Sequence, residues 1–152
     1  MTVPAIPITI PARQHLLVIG EAISVHRELG PGLLESTYEA CLTHALASGG
    51  LRVERQVATP VVFRGKRLEC GYRIDMLVEG AVVVEIKTVR RIERVHVSQV
   101  RTYLKLSGRH VGLLINFDVD VLTAGIKRVV YGYRGEKPSG SGVRPATLGN
   151  PE

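Results

Sequence analysis

The stretch that most constrains this chain is residues 70–87. Ile74, Met76 and Val78 alternate with Arg73, Asp75 and Leu77, and Val82, Val84 and Ile86 alternate with Val83, Glu85 and Lys87. Apolar, largely β-branched residues at period two predict two strands, with Glu79-Gly80 supplying a tight turn between them. If the loop is residues 79–81, with Gly80 or its neighbour at positive φ, Asp75 falls opposite Glu85. A two-residue loop would shift the pairing by one and separate the carboxylates. Glu85 and Lys87, two apart on one strand, share a face by the pleat alone.

Two carboxylates and an ammonium on one partly buried sheet face are costly unless something compensates them. Two accounts fit. One is an ion pair of Lys87 with Asp75 or Glu85, or a solvent-facing strand edge. The other is a divalent-metal site with a lysine beside it. Hard oxygen ligands suit Mg²⁺ or Mn²⁺, and a fixed lysine can hold an attacking water or a scissile phosphate oxygen.

The 152 residues make one domain, large enough for a substantial core, and 45% hydrophobic with 22% charged residues is a globular composition. A net charge of +6 favours a polyanionic partner. Cys41 and Cys70 have neither CxxC nor metal spacing and read as reduced, buried thiols of a cytoplasmic protein. The first eleven residues carry Pro4, Pro7 and Pro11 and no basic region, unlike a signal peptide. No uncharged run approaches the roughly 18 residues of a membrane span.

After this arm, residues 12–29 read as a helix with a broad apolar face of Leu16, Leu17, Val18, Ile19, Ile23 and Val25, stopped by Gly30-Pro31-Gly32. A second helix is expected over 33–48, a strand over 51–63 with Pro60 as a breaker, and then the central hairpin. A third helix follows over 96–106, a buried strand over 111–117 and a last strand over 126–133. Residues 135–152, rich in glycine, proline and serine, are expected to be a disordered tail. The expected domain therefore covers 12–134 as an α/β sandwich with a mixed central sheet flanked by helices. A dinucleotide fold is excluded, because Gly30-Pro31-Gly32 lacks the GxGxxG spacing and follows a helix.

Other groups able to do chemistry lie on the helices. Glu35 and Tyr38, three apart, share a face of the second helix; alternatively Glu35 complements the helix dipole and Tyr38 packs. His96, Gln99 and Tyr103 form a polar stripe on the third helix beside Val97, Val100 and Leu104. Arg64, Lys66, Arg67, Arg73, Arg90, Arg91 and Arg94 lie near the ends of the core strands and are candidates for phosphate contact.

These residues carry a resemblance. Gly32-x-x-Glu35-x-x-Tyr38 resembles the signature of the GxxExxY protein family, and Asp75 with Glu85-Ile86-Lys87 resembles the core of the PD-(D/E)xK nuclease superfamily, to which that family is assigned. The similarity runs from the first helix to Tyr131 and includes residues 26–38, Gly71-Tyr72-Arg73-Ile74-Asp75, Gln99 with Tyr103-Leu104-Lys105, and Leu113-Leu114-Ile115-Asn116-Phe117. It implies a restriction-endonuclease-like sandwich and metal-dependent hydrolysis of nucleic-acid phosphodiesters, DNA first among the candidate substrates. It also implies Asp75 and Glu85 as ligands of Mg²⁺ or Mn²⁺, Lys87 as the catalytic lysine, Glu35 as a helix-borne acid reaching the metal, and Gln99 as a positioning residue. Tyr38, Arg73, His96 and Tyr103 are the expected substrate contacts. The superfamily's aspartate often follows a proline, and here Ile74 stands there. Several nuclease folds of this size form homodimers, but no stripe identifies such an interface. The alternative is a non-catalytic nucleic-acid- or protein-binding module on the same fold.

Overall fold

Helix α1, Ala12–Leu29, forms where the apolar spacing predicts it. The computed structural model describes residues 12–132, so the expected N-terminal arm and C-terminal tail lie outside the described residues. The buried stripe of α1 is His15, Val18, Ala22, Val25 and His26, spaced by three and four residues. Leu16 and Leu17, expected on the buried face, are exposed, because only one narrow stripe meets the sheet layer. Gly30, with φ of 69°, ends the helix and donates its N–H to the His26 carbonyl at 2.7 Å.

Helix α2, Glu35–Ser48, starts two residues later than the sequence suggests and buries Tyr38, Glu39, Leu42 and Leu46. The expected strand over 51–63 is two strands. Strand β1, Val53–Ala58, joins the main sheet, whereas β2, Val61–Phe63, pairs with β3, Lys66–Leu68, in a separate ribbon. Thr59 still follows the β1–β4 register, donating its N–H to the Tyr72 carbonyl at 2.8 Å, but Pro60 lacks an N–H to continue the ladder. The central hairpin is β4, Arg73–Val78, and β5, Val82–Lys87. Helix α3, Arg94–Ser107, then leads to β6, Val111–Asn116, a 3-10 turn, Leu122–Gly125, and β7, Ile126–Val130.

The main sheet has the order β1-β4-β5-β6-β7. All its pairs are antiparallel except β5–β6, whose parallel pairing needs the crossover that α3 supplies. One face packs Met76, Val78, Val84, Ile86 and Leu113 against α1 and α2. The other packs Leu77, Val83, Leu114 and Val129 against Val100 and Leu104 of α3. The result is the expected sandwich, with helices on both faces of a mixed sheet.

Two further expectations are corrected. Ile74 does not share a face with Met76: it packs in the α3 layer with Val57, whereas Met76 lies in the α1–α2 layer. The alternation breaks at Asp75, beside Gln56, whose φ of 50° takes it out of the ladder between the pairs Arg55↔Met76 and Val57↔Ile74. The cysteines are not buried, Cys41 being half-buried and Cys70 exposed. Among the described residues, no helix is long and apolar enough to cross a membrane.

Candidate active site

The β4–β5 turn spans residues 79–81. Glu79 and Gly80 both take positive φ, and Ala81 donates its N–H to the Val78 carbonyl at 3.0 Å. The register is therefore Val78↔Val82, Leu77↔Val83 and Met76↔Val84. One step further, Asp75 faces Glu85, and there the backbone ladder stops. Asp75 N–H donates to Glu85 Oε1 at 3.2 Å, and Ile86 N–H donates to Asp75 Oδ2 at 2.9 Å. Each carboxylate thus satisfies an amide of the opposite strand and occupies the gap where the strands part.

This geometry has an electrostatic cost. Burial, reinforced by the facing Asp75 carboxylate, pushes the Glu85 carboxyl up to about 8. Asp75 is also raised, by burial first, against the downward pull of the Ile86 amide and with a further push from Glu39. Lys87 opposes both shifts, yet among the described residues it belongs to no ion pair. The ion-pair account of the lysine is therefore not what the fold builds.

The Gly32-x-x-Glu35-x-x-Tyr38 segment presents Glu35 to the end of β5. Gly32, with φ of 100°, turns the chain into α2. Tyr38 is fully buried, stacks on Phe117 at 4.3 Å between ring centroids, donates its hydroxyl to the Gly30 carbonyl at 2.5 Å and accepts the Leu33 N–H at 3.2 Å. It is a strut of the α1–α2 joint, out of a substrate's reach. Glu35 is exposed and accepts the Thr88 N–H at 3.2 Å, one residue beyond Lys87.

Glu39 is the acid that sequence reasoning missed. It is buried, one turn after Glu35, and takes Arg55 Nε at 3.2 Å and the Gln56 amide at 3.1 and 3.2 Å. Its signal was the four-residue spacing from Glu35, which puts both on one helix face.

On the other side of the sheet, α3 brings Tyr103 towards the pair. Burial, followed by the Glu85 carboxylate, raises its phenol above the ordinary value. Exposed Gln99 and half-buried Tyr103 line a pocket of about 250 Å³ with Tyr72, Ser98 and Thr102. His96 is occupied at the start of α3, its Nδ1 accepting the Glu93 N–H at 2.9 Å. Arg73 is exposed and reaches the Gln56 carbonyl at 3.4 Å. Arg64 lies over the Phe63 ring and Arg67 pairs with Glu69, both on the separate ribbon. A second pocket, of about 310 Å³, is lined by Arg90, Arg91, Lys127 and Asn116. Asn116 pairs with Lys87 across β5–β6 and holds the following loop through both the N–H and the carbonyl of Val89.

The PD-(D/E)XK nuclease superfamily matches residues 13–129. The chain belongs to that superfamily. The crystal structure of SSO0001 shares the fold, with a TM-score of 0.51 and 21% identity over 80% of this chain and 62% of that one. No curated protein matches the chain.

PD-(D/E)XK nucleases generally use divalent metals, and the donor set can be tested against one. The pair is hard oxygen throughout, and the backbone amides leave one oxygen of each carboxylate without a main-chain donor. Among the described residues no group of three or more His, Cys, Asp or Glu side chains is placed to hold a metal, so Glu35 does not complete a cage. Mg²⁺ commonly uses one or two carboxylates and keeps several waters or substrate oxygens. Asp75 and Glu85 fit that mode.

Proposed function

We propose that this PD-(D/E)XK protein is a metal-dependent nuclease that hydrolyses nucleic-acid phosphodiester bonds. The observation that carries the reading is the Asp75–Glu85 pair, buried enough to hold a proton near neutrality, with unpaired Lys87 on the same strand. A purely structural hairpin gains nothing from this arrangement, since an apolar pair would be cheaper. The Gly32, Glu35 and Tyr38 spacing further supports assignment to the GxxExxY group.

Asp75 and Glu85 would hold Mg²⁺ or Mn²⁺, which would acidify a bound water and neutralise charge on the phosphoryl group. The amides of Asp75 and Ile86 fix the two carboxylates in place. Lys87 would donate to the attacking water or to a non-bridging phosphate oxygen. Glu35 steadies the strand end at Thr88, and Gln99 faces the substrate from α3. Arg90, Arg91 and Lys127, with no acid among the residues lining their pocket, would take a flanking phosphate of the DNA backbone.

The test is cleavage of labelled DNA and RNA with Mg²⁺ or Mn²⁺, comparing wild type with Asp75→Ala. Loss of cleavage with retained nucleic-acid binding supports the enzyme. Cleavage that survives Asp75→Ala in purified protein removes the proposed site, and binding without turnover on every substrate points to the non-catalytic module.

A further inference from the structure

Tyr72, on the loop entering β4, is 42% exposed yet held in place. Its carbonyl accepts the Thr59 N–H at 2.8 Å, and the Tyr103 ring meets its ring edge-on, with centroids 6.1 Å apart and planes at 85°. The pocket beside this pair, about 250 Å³, is walled on its other side by Val95, Ser98, Gln99 and Thr102 of α3. None of these lining residues carries a formal charge, unlike the pocket of Arg90, Arg91 and Lys127. The pocket therefore suits a neutral, flat, partly polar group and not a phosphate.

We propose that this pocket takes one unstacked nucleobase of the substrate strand, so that the protein acts on single-stranded nucleic acid in preference to duplex. The inference rests on the nuclease reading and names its substrate class. An exposed aromatic ring held by an edge-on neighbour is a stacking platform that tolerates any base. The Gln99 amide offers both a donor and an acceptor to a base edge. The Thr102 hydroxyl already donates to the Ser98 carbonyl at 3.0 Å and so presents acceptor lone pairs. Tyr103 connects the two regions: its ring packs in the layer of Ile74, the residue before Asp75 on β4, and of Val83, two before Glu85 on β5. A base seated there belongs to a nucleotide whose phosphate lies close to the carboxylate pair. In a duplex, bases are paired and stacked inward, and extruding one has an energetic cost that a single strand avoids.

The test is fluorescence anisotropy in EDTA, with a labelled single-stranded oligodeoxynucleotide and the same sequence folded as a hairpin duplex. Wild type should bind the single strand more tightly. Tyr72→Ala should weaken single-strand binding roughly tenfold while leaving hairpin binding unchanged, and Tyr72→Phe should retain it. Thr102→Trp, which fills the pocket from an exposed helical position, should reproduce the loss. Equal weakening of both forms, or no effect of either substitution on the single strand, would overturn the pocket and leave the nuclease reading standing. Failure of wild type to bind either form would overturn the pocket together with the reading beneath it.

Discussion

Asp75 and Glu85 face each other where β4 and β5 part, and each accepts a backbone N–H from the opposite strand. The carboxylates thereby replace two rungs of the ladder. They open the sheet at that end, immobilise themselves and crowd two negative charges into a half-dry gap. A sheet can tolerate this if one acid keeps its proton or if a cation joins them.

The metal-free protein should therefore lose stability as pH rises. The folded-state pKa of Glu85, about 8, lies above its ordinary value of 4.5, so the folded chain holds a proton that the unfolded chain has shed. That contribution is complete below the unfolded value and disappears as pH rises through the folded one. Asp75, also raised, acts in the same sense. Thermal melts in EDTA should show Tm falling between about pH 5 and 9, by an amount reflecting a few kcal/mol, and Glu85→Gln should flatten the fall. A wild-type slope unchanged by that substitution would contradict the burial argument.

Much of this arrangement is legible in the sequence. The period-two pattern gives both strands but leaves two registers open, and the turn at 79–81 builds the one that sets Asp75 against Glu85. What is illegible depends on tertiary neighbours. The φ of 50° at Gln56 and the change of layer at Ile74 leave no local signature, because glutamine and isoleucine are ordinary strand residues. Spacing leaves Tyr38 either a surface partner of Glu35 or a packed ring, and Phe117, nearly eighty positions away, decides for the second. Pro60 signals a break, but its sequence does not say that β2 and β3 leave the main sheet.

Lys87→Met should separate chemistry from folding. The lysine forms no ion pair among the described residues and is only half-buried, so the melting temperature in EDTA should change little. Cleavage in Mn²⁺ should fall by roughly 10²–10³-fold, as for other losses of a group that meets developing charge. A large drop in Tm would mean that the lysine serves the fold.

Tyr38→Phe should cost about 1–3 kcal/mol in urea unfolding. It keeps the stack on Phe117 but strips the hydroxyl from the Gly30 carbonyl and the Leu33 N–H. Because those bonds shape the turn that presents Glu35, the variant should also show reduced cleavage under conditions where it is fully folded. Unchanged stability would show that water replaces the hydroxyl without loss.

The central claim is that the Asp75–Glu85 pair is a metal site, and titration calorimetry with Mn²⁺ on wild type and Asp75→Asn tests it most directly. Wild type should bind saturably at neutral pH, with an enthalpy that varies with the buffer because Glu85 releases its proton, and Asp75→Asn should abolish the binding. No binding at millimolar Mn²⁺, or equal binding by the variant, would contradict the claim.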